Sequence, residues 1–368
     1  MASSTAPDPS AVAQEVAAAQ SAATISSAAH DAYDQETVQP AETGEFGALE
    51  VDNGSDRDSA FGDDYESFTT SIKSTATDYK FEHGRRFHAY DEAKYPLPND
   101  NHEAQRLELQ HQCWQLSLDG RLALAPLPGN IRTALDIGCG TGSWVIEFAE
   151  AHPYCRVVGS DLSPIQPTMV PPNVEFIVDD ITSTWVYDHK FDYIHSRAIT
   201  VGVRDWTKLV DEIWKNLEPG GWVEFQEYHA PLLCDDDTME KHCPYFAHWN
   251  REIARAAGLA GTKLDAILSV PEVLSARGFT HTGTASTKWP LGPWAKGRRE
   301  KKIGEYFAKD ISGSLDGVSM RLFTKVLGMS SEEVSSLTSK ASEEINSGKM
   351  HTYMAIDFLW AQKPYDAI

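Results

Sequence analysis

Basic residues are scarce in this chain: 32 Lys and Arg stand against 54 Asp and Glu in 368 residues, a formal net charge of −22. A surface of that sign repels phosphate backbones and anionic lipid, which argues against direct nucleic-acid binding. The two short basic runs, Arg85-Arg86 and Lys296 to Lys302, read as ordinary solvated surface. Long apolar runs are missing too, and none approaches the roughly 20 residues that span a membrane. The first residues lack a basic stretch followed by an apolar one, so no secretory signal is expected. Cysteine is sparse: Cys113, Cys139, Cys155, Cys234 and Cys243 are odd in number and lack paired spacing, which points to reduced thiols in cytosol or nucleus. Zinc spacings are also absent where His229, Cys234, Asp235 to Asp237, His242, Cys243 and His248 crowd together, so no metal is expected there. That segment reads instead as a mobile substrate lid followed by a helix.

What is present falls into three parts. Residues 1–72 are rich in Ala, Ser and Thr, and the first 70 hold 14 Asp or Glu against one basic residue, Arg57. Such a composition cannot bury enough apolar surface to offset chain entropy, and it predicts a disordered acidic tail. Residues 73–130 form an N-terminal cap, with aromatic and basic residues from Tyr79 to Tyr90, a Pro-rich turn at 95–98, and a helix over Glu103 to Leu122. Arg85, Arg86, Phe87 and His88 suggest a flap over the site, with an arginine meeting a carboxylate.

From Ile131 short apolar runs alternate with helical stretches, the pattern of a parallel sheet with crossover helices. Strands are expected at Thr133 to Ile137, Arg156 to Ser160, Val174 to Val178, Phe191 to His195 and Trp222 to Glu227. Helices are expected at Gly142 to Ala151 and Trp206 to Leu217, the second stopped by Pro219-Gly220-Gly221. The stretch 163–172 holds too many prolines for a full crossover helix. Two late β-like runs, Thr280 to Lys288 and His351 to Leu359, flank a helical block from Lys302 to Ser347. Paired antiparallel, they close the sheet with a reversed strand. The expected core is a doubly wound α/β domain over 131–364 with helical insertions near 231–278 and 296–348.

The chemistry concentrates where Ala134-Leu-Asp-Ile137 runs into Gly138-Cys-Gly-Thr-Gly142 and a helix opens. Glycines let the backbone turn sharply and approach a ligand, and a helix start offers unpaired N–H groups. Asp161 ends the next strand, 23 residues beyond Gly138, where it can bind a ribose diol. Ser143 stands where a dinucleotide fingerprint has its third glycine, so a cofactor without pyrophosphate fits better. Loops of this kind cradle the amino-acid end of S-adenosylmethionine, with Asp136 reaching its ammonium. Asp180 is the expected adenine contact, with Ile181 packing on the ring and Leu162 beside the ribose acid. A nicotinamide dehydrogenase of the short-chain kind would need Tyr-x-x-x-Lys after the loop, and that spacing occurs only upstream, at Tyr90 and Lys94.

The runs LDIGCGTG, VVGSDLSPIQPTMVPPNVEF, DDI, FDYIHSR, DW and LEPGGWVEFQEY resemble the fungal LaeA-like methyltransferases, regulators of secondary metabolism and development. FEHGRRFHAY, YPLPND, LELQHQ, WPLGPW and LFTKVLG extend the resemblance over residues 79–364. It implies a class I methyltransferase (Rossmann-like) fold and S-adenosylmethionine as cofactor. Asp136, Gly138, Gly140 and Gly142 match the cofactor loop, Asp161 the ribose acid and Asp180 the adenine contact. Cys139 departs from the family's frequent Thr and only lines the loop. Protein partners and a cytoplasmic and nuclear location follow from the same resemblance.

Methyl transfer asks mainly for alignment, plus a base where the nucleophile carries a proton. Candidates are His195, Glu227, Tyr228 and His229, with His195 first. No Asn or Asp with Pro-Pro-aromatic follows the fourth strand, which argues against methylation of planar nitrogens. The acceptor stays open between a regulator acting with protein partners, a natural-product O-methyltransferase and a scaffold that binds cofactor without transfer.

Overall fold

A computed structural model describes residues 79–88 and 95–367. The expected acidic tail lies outside the described residues. The first element is a hairpin of β1 (Lys80–Glu82) and β2 (Arg85–Phe87), turned at His83-Gly84, where both φ angles are positive. Helix α1 (Asn101–Ser117) follows, and its N-cap Asp100 accepts a hydrogen bond from Glu103 N at 3.0 Å. It ends at Ser117 rather than Leu122, because Asp119 and Gly120 adopt left-handed conformations (φ 51° and 77°) that turn the chain out of the helix.

Seven strands form the central sheet: β3 (Thr133–Ile137), β4 (Arg156–Asp161), β5 (Val174–Val178), β6 (Phe191–Arg197), β7 (Leu217–Cys234), β8 (Thr280–Pro290) and β9 (Thr352–Gln362). Their spatial order is β5-β4-β3-β6-β7-β9-β8. The first five run parallel, and β9 lies antiparallel between β7 and β8, so the reversed strand is in place. The chain winds outward from β3 to β5 and then returns to β6 on the other side of β3. That reversal opens a crevice at the carboxyl ends of β3, β4 and β6, the place where such sheets bind ligands.

Helix α2 (Ser143–Ala151) follows β3, and α3 (Trp206–Asn216) connects β6 to β7. The proline-rich stretch between β4 and β5 contains no helix. Pro219-Gly220-Gly221 lies inside β7 as a register break between the pairs Phe191 with Leu217 and Tyr193 with Trp222. The strand therefore begins earlier than Trp222, and it runs on to Cys234 because β9 pairs with it from Trp222 to His229 and, past a register shift, again at Leu233 and Cys234. Helices α4 (Thr238–His242), α5 (Pro244–Leu259) and α6 (Val270–Arg277) precede β8. The late helical block is two helices, α7 (Arg298–Lys325) and α8 (Ser331–Asn346). Gly328 breaks them apart at φ 72°, and a capping box of Ser330 with Glu333 starts the second.

Three apolar clusters hold these layers. Ile194, Val210, Ile213 and Phe225 pack where α3 covers one face of the sheet, and Trp144, Phe148 and Tyr193 where α2 covers the other. The third joins α1, α5, α7 and α8 to the β8–β9 end through Trp114, Phe246, Trp249, Trp289, Phe307 and Phe323. Trp114 meets Trp289 edge-on at 4.6 Å. Among the described residues no helix is long and apolar enough to cross a membrane.

Candidate active site

The glycine loop closes the carboxyl end of β3. Gly138 N and Cys139 N donate to Ser160 O at 2.8 and 3.0 Å, which folds the loop onto the end of β4. Gly138, Gly140 and Gly142 all have positive φ, and a Cβ on Gly138 would lie 2.6 Å from Ile199 Cγ2, so only glycine fits. Asp161 braces the loop from β4: Gly140 N donates to Oδ2 at 2.8 Å and Ser163 N to Oδ1 at 2.9 Å. Burial pushes the Asp161 carboxyl up to about 6, against the lowering effect of those two donors.

Around this loop runs a slot with two lobes of about 100 and 80 Å³, sharing Tyr95, Gly138, Asp161 and Ala198. The first lobe adds Asp136, Cys139, Gly140, Trp144 and Arg197. The second adds Leu162, Asp179, Asp180, Ile181 and Ile199. Of the residues expected at the cofactor, eight therefore meet in one slot. Gly142 lines neither lobe; it is the left-handed N-cap of α2 (φ 82°), packed close to the ring of Phe176. Asp180 is held by Thr182 and Ser183, whose donors reach its two oxygens at 2.6 to 2.9 Å. Oδ1 accepts two of these donors and Oδ2 one, so the turn fixes the group at the end of β5.

His195 is not placed to act as a base. It is fully buried, its ring lies 3.8 Å from that of Trp144 in a parallel stack, and its Nδ1 pairs with Asp136 Oδ1 at 2.8 Å. Strand register sets this up, since Asp136 and His195 are direct neighbours across β3 and β6. The histidine orients Asp136, and Trp144 covers it from the cavity.

Glu227 is a second correction. Alternation along β7 puts Glu224 and Gln226 on the face under the cap, and Glu227 on the opposite face. There its carboxylate accepts from Ile199 N at 2.8 Å, Thr200 N at 3.3 Å and Thr200 Oγ1 at 2.8 Å, capping the turn after β6. Burial pushes it up to about 7. His229 is tied to Asp357 at 3.1 Å. Tyr228 alone of the four proposed bases lines the slot. Burial pushes its hydroxyl above the usual range, so it stays neutral at physiological pH and orients rather than abstracts a proton.

Sequence reasoning missed Arg197, which sits in the first lobe. Its guanidinium donates to Gln226 Oε1 at 2.8 and 3.0 Å and to His111 Nδ1 at 3.1 Å. Burial and the arginine itself keep His111 below its usual range, so the neutral ring accepts at Nδ1, with Nε2 3.1 Å from Glu147. The signal was legible as parity: Tyr193, His195 and Arg197 alternate onto one face of a strand ending at the crevice. The cap is anchored to the same network, because Leu124 N and Ala125 N donate to the buried Glu224 at 2.7 to 3.0 Å.

This donor set fits S-adenosylmethionine. In that slot Asp136 would meet an ammonium, Arg197 a carboxylate, Asp161 a diol, and Ile181 and Ile199 an apolar ring. Bound there, the cofactor supplies an electrophilic methyl on a sulfonium leaving group. Among the described residues no group of three His, Cys, Asp or Glu is placed to hold a metal ion.

A larger chamber of about 420 Å³ adjoins the first lobe, sharing Leu97, Arg106, Gln110 and Tyr228 with it. Trp249, Ile253, Trp289, Phe307, Val318 and Met354 make its wall mostly apolar.

Sheet order and slot together define a class I methyltransferase with S-adenosylmethionine as cofactor. Residues 108–263 match a family described as a methyltransferase domain. The chain is 36% identical over 303 residues to methyltransferase pytC of Aspergillus terreus, covering 82% of this chain and 93% of that one. It is 31% identical over 324 residues to the secondary metabolism regulator laeA of Aspergillus fumigatus, covering 84% and 85%. A solved phosphoethanolamine N-methyltransferase 2 of Haemonchus contortus aligns with a TM-score of 0.39 at 18% identity, covering 71% of this chain and 52% of that one. The protein belongs to the LaeA-like family of S-adenosylmethionine-dependent methyltransferases.

Proposed function

We propose that this methyltransferase acts on an apolar small molecule seated in the chamber beside the cofactor slot. The observation that carries this reading is the chamber itself. At about 420 Å³ it has the size of a drug-sized ligand pocket, and it shares Arg106 and Tyr228 with the slot. The walls would exclude water and align the acceptor, and Tyr228 would orient its nucleophilic atom. The 36% identity to methyltransferase pytC over nearly all of that protein supports a methyl transfer at this site.

The alternative reading is a regulator acting with protein partners in cytoplasm and nucleus; the relative at 31% identity named secondary metabolism regulator laeA supports the regulatory part of it. Incubation of the purified chain with methyl-labelled cofactor and fractionated fungal extract separates the two. Label appearing in a small apolar product supports the chamber reading. Label confined to polypeptide, with no small-molecule product in any fraction, contradicts it.

A further inference from the structure

The chamber wall carries charge of one sign. Arg106, Arg204, Arg321 and Lys325 line it, and among the described residues no Asp or Glu does, in a chain whose net charge is −22. Arg106 is neutralised from outside the cavity by Glu103 at 2.9 Å and Asp310 at 3.1 Å. Lys325 reaches Glu82 at 3.2 Å. Arg321 differs from these. Its Nε donates to Glu82 at 2.9 Å and its guanidinium lies 3.6 Å from the centre of the Phe87 ring. The side chain is 4% exposed, and Nη1 and Nη2 have no hydrogen-bond partner among the described residues. Two buried, unpaired donors in the planar fork of a guanidinium match the two oxygens of a carboxylate or the oxygen pair of an acidic enol. Leaving them unmatched is costly, so a ligand supplying those oxygens gains what the protein withholds.

The geometry points to an acceptor that is an elongated apolar acid, its anionic group gripped by Arg321 and its methyl-accepting end at Tyr228. This rests on the small-molecule reading above. The distance follows from α7: Phe307, Ile311, Ser314, Val318, Arg321 and Leu322 face the chamber along one side of the helix. Asp310, which holds Arg106 at the slot, lies 11 residues before Arg321, about 16 Å at the helical rise. The anchor and the transfer end therefore sit at opposite ends of the chamber, and the anchored anion is a separate group from the one methylated.

Calorimetry with the full chain tests this using dodecanoate and dodecan-1-ol, which share an apolar body and differ in charge. Wild-type protein is expected to bind the acid at least tenfold more tightly than the alcohol. Arg321→Met removes that preference, whereas Glu82→Gln, which breaks the same strap contact but leaves the guanidinium, retains it. S-adenosylhomocysteine affinity stays within twofold in both variants, which shows that each has folded. Equal binding of acid and alcohol by the wild type, or an undiminished preference in Arg321→Met, overturns the proposal. So does loss of the preference in Glu82→Gln. A wild-type chain that prefers the acid yet yields no labelled small molecule from extract leaves the anion site standing and defeats only the small-molecule function.

Discussion

Asp136 works through the company it keeps. Its carboxylate is set by the His195 ring, which is set in turn by the Trp144 stack, so replacement of the histidine acts on cofactor affinity rather than on proton transfer. His195→Asn, which can still donate to Asp136, is expected to hold affinity for S-adenosylhomocysteine within about threefold, and His195→Ala to lose roughly tenfold, the scale of one hydrogen bond to a charged group. Abolished turnover with unchanged affinity in His195→Ala would restore the base role. Gly138→Val meets Ile199 in a left-handed backbone and should eliminate cofactor binding, read by the same titration. Glu227 adds a pH signature. Its raised value, from 4.5 to about 7, means the folded chain binds a proton that the unfolded chain has released, so its contribution to stability falls as pH rises through that window. Between pH 5.5 and 8 wild type should lose of order 2 kcal/mol more than Glu227→Gln in urea unfolding, and parallel pH slopes would refute the assignment.

At the scale of elements, the cap is held by a few polar joints. Asp100 caps α1 and also binds Arg85 at 2.6 and 2.9 Å, so the arginine of the strap meets a carboxylate of its own chain. Asp100→Ala removes both and should cost about 1 to 2 kcal/mol of stability in urea unfolding, with Asp100→Asn recovering part of the cap. A cost below a few tenths would show that strap and helix are independent. The sheet was readable because buried parallel strands are short apolar runs, and the glycine loop because its backbone demands few residue types. Glu227 was misread and Arg197 passed over for a shared reason. In each case strand parity was the signal: Arg197 shares a face with Tyr193 and His195 on β6, and Glu227 lies on the face of β7 opposite Glu224 and Gln226. The end of α1 was missed because Asp119-Gly120 interrupts a pattern that otherwise continues to Leu122.

For the molecule as a whole, function follows from how two cavities share a wall. The cofactor slot is built by the reversal of strand order and was legible from the loop and the strand-end acids. The chamber is assembled from α1, β7, α5, α7 and the β8–β9 end, segments far apart in the chain, and no local motif announces it. Asp161 links the whole to solution conditions. With its carboxyl at about 6, protonation below that value removes an acceptor from the ribose position, so cofactor affinity should fall between pH 7 and 5 and become flat in Asp161→Asn. The most direct measurement is titration of S-adenosylhomocysteine into the purified chain at pH 7.5, wild type beside Asp161→Ala. One site per chain is expected, weakened at least tenfold in the variant; no binding by the wild type, or equal binding by both, would contradict a cofactor slot built around Asp161.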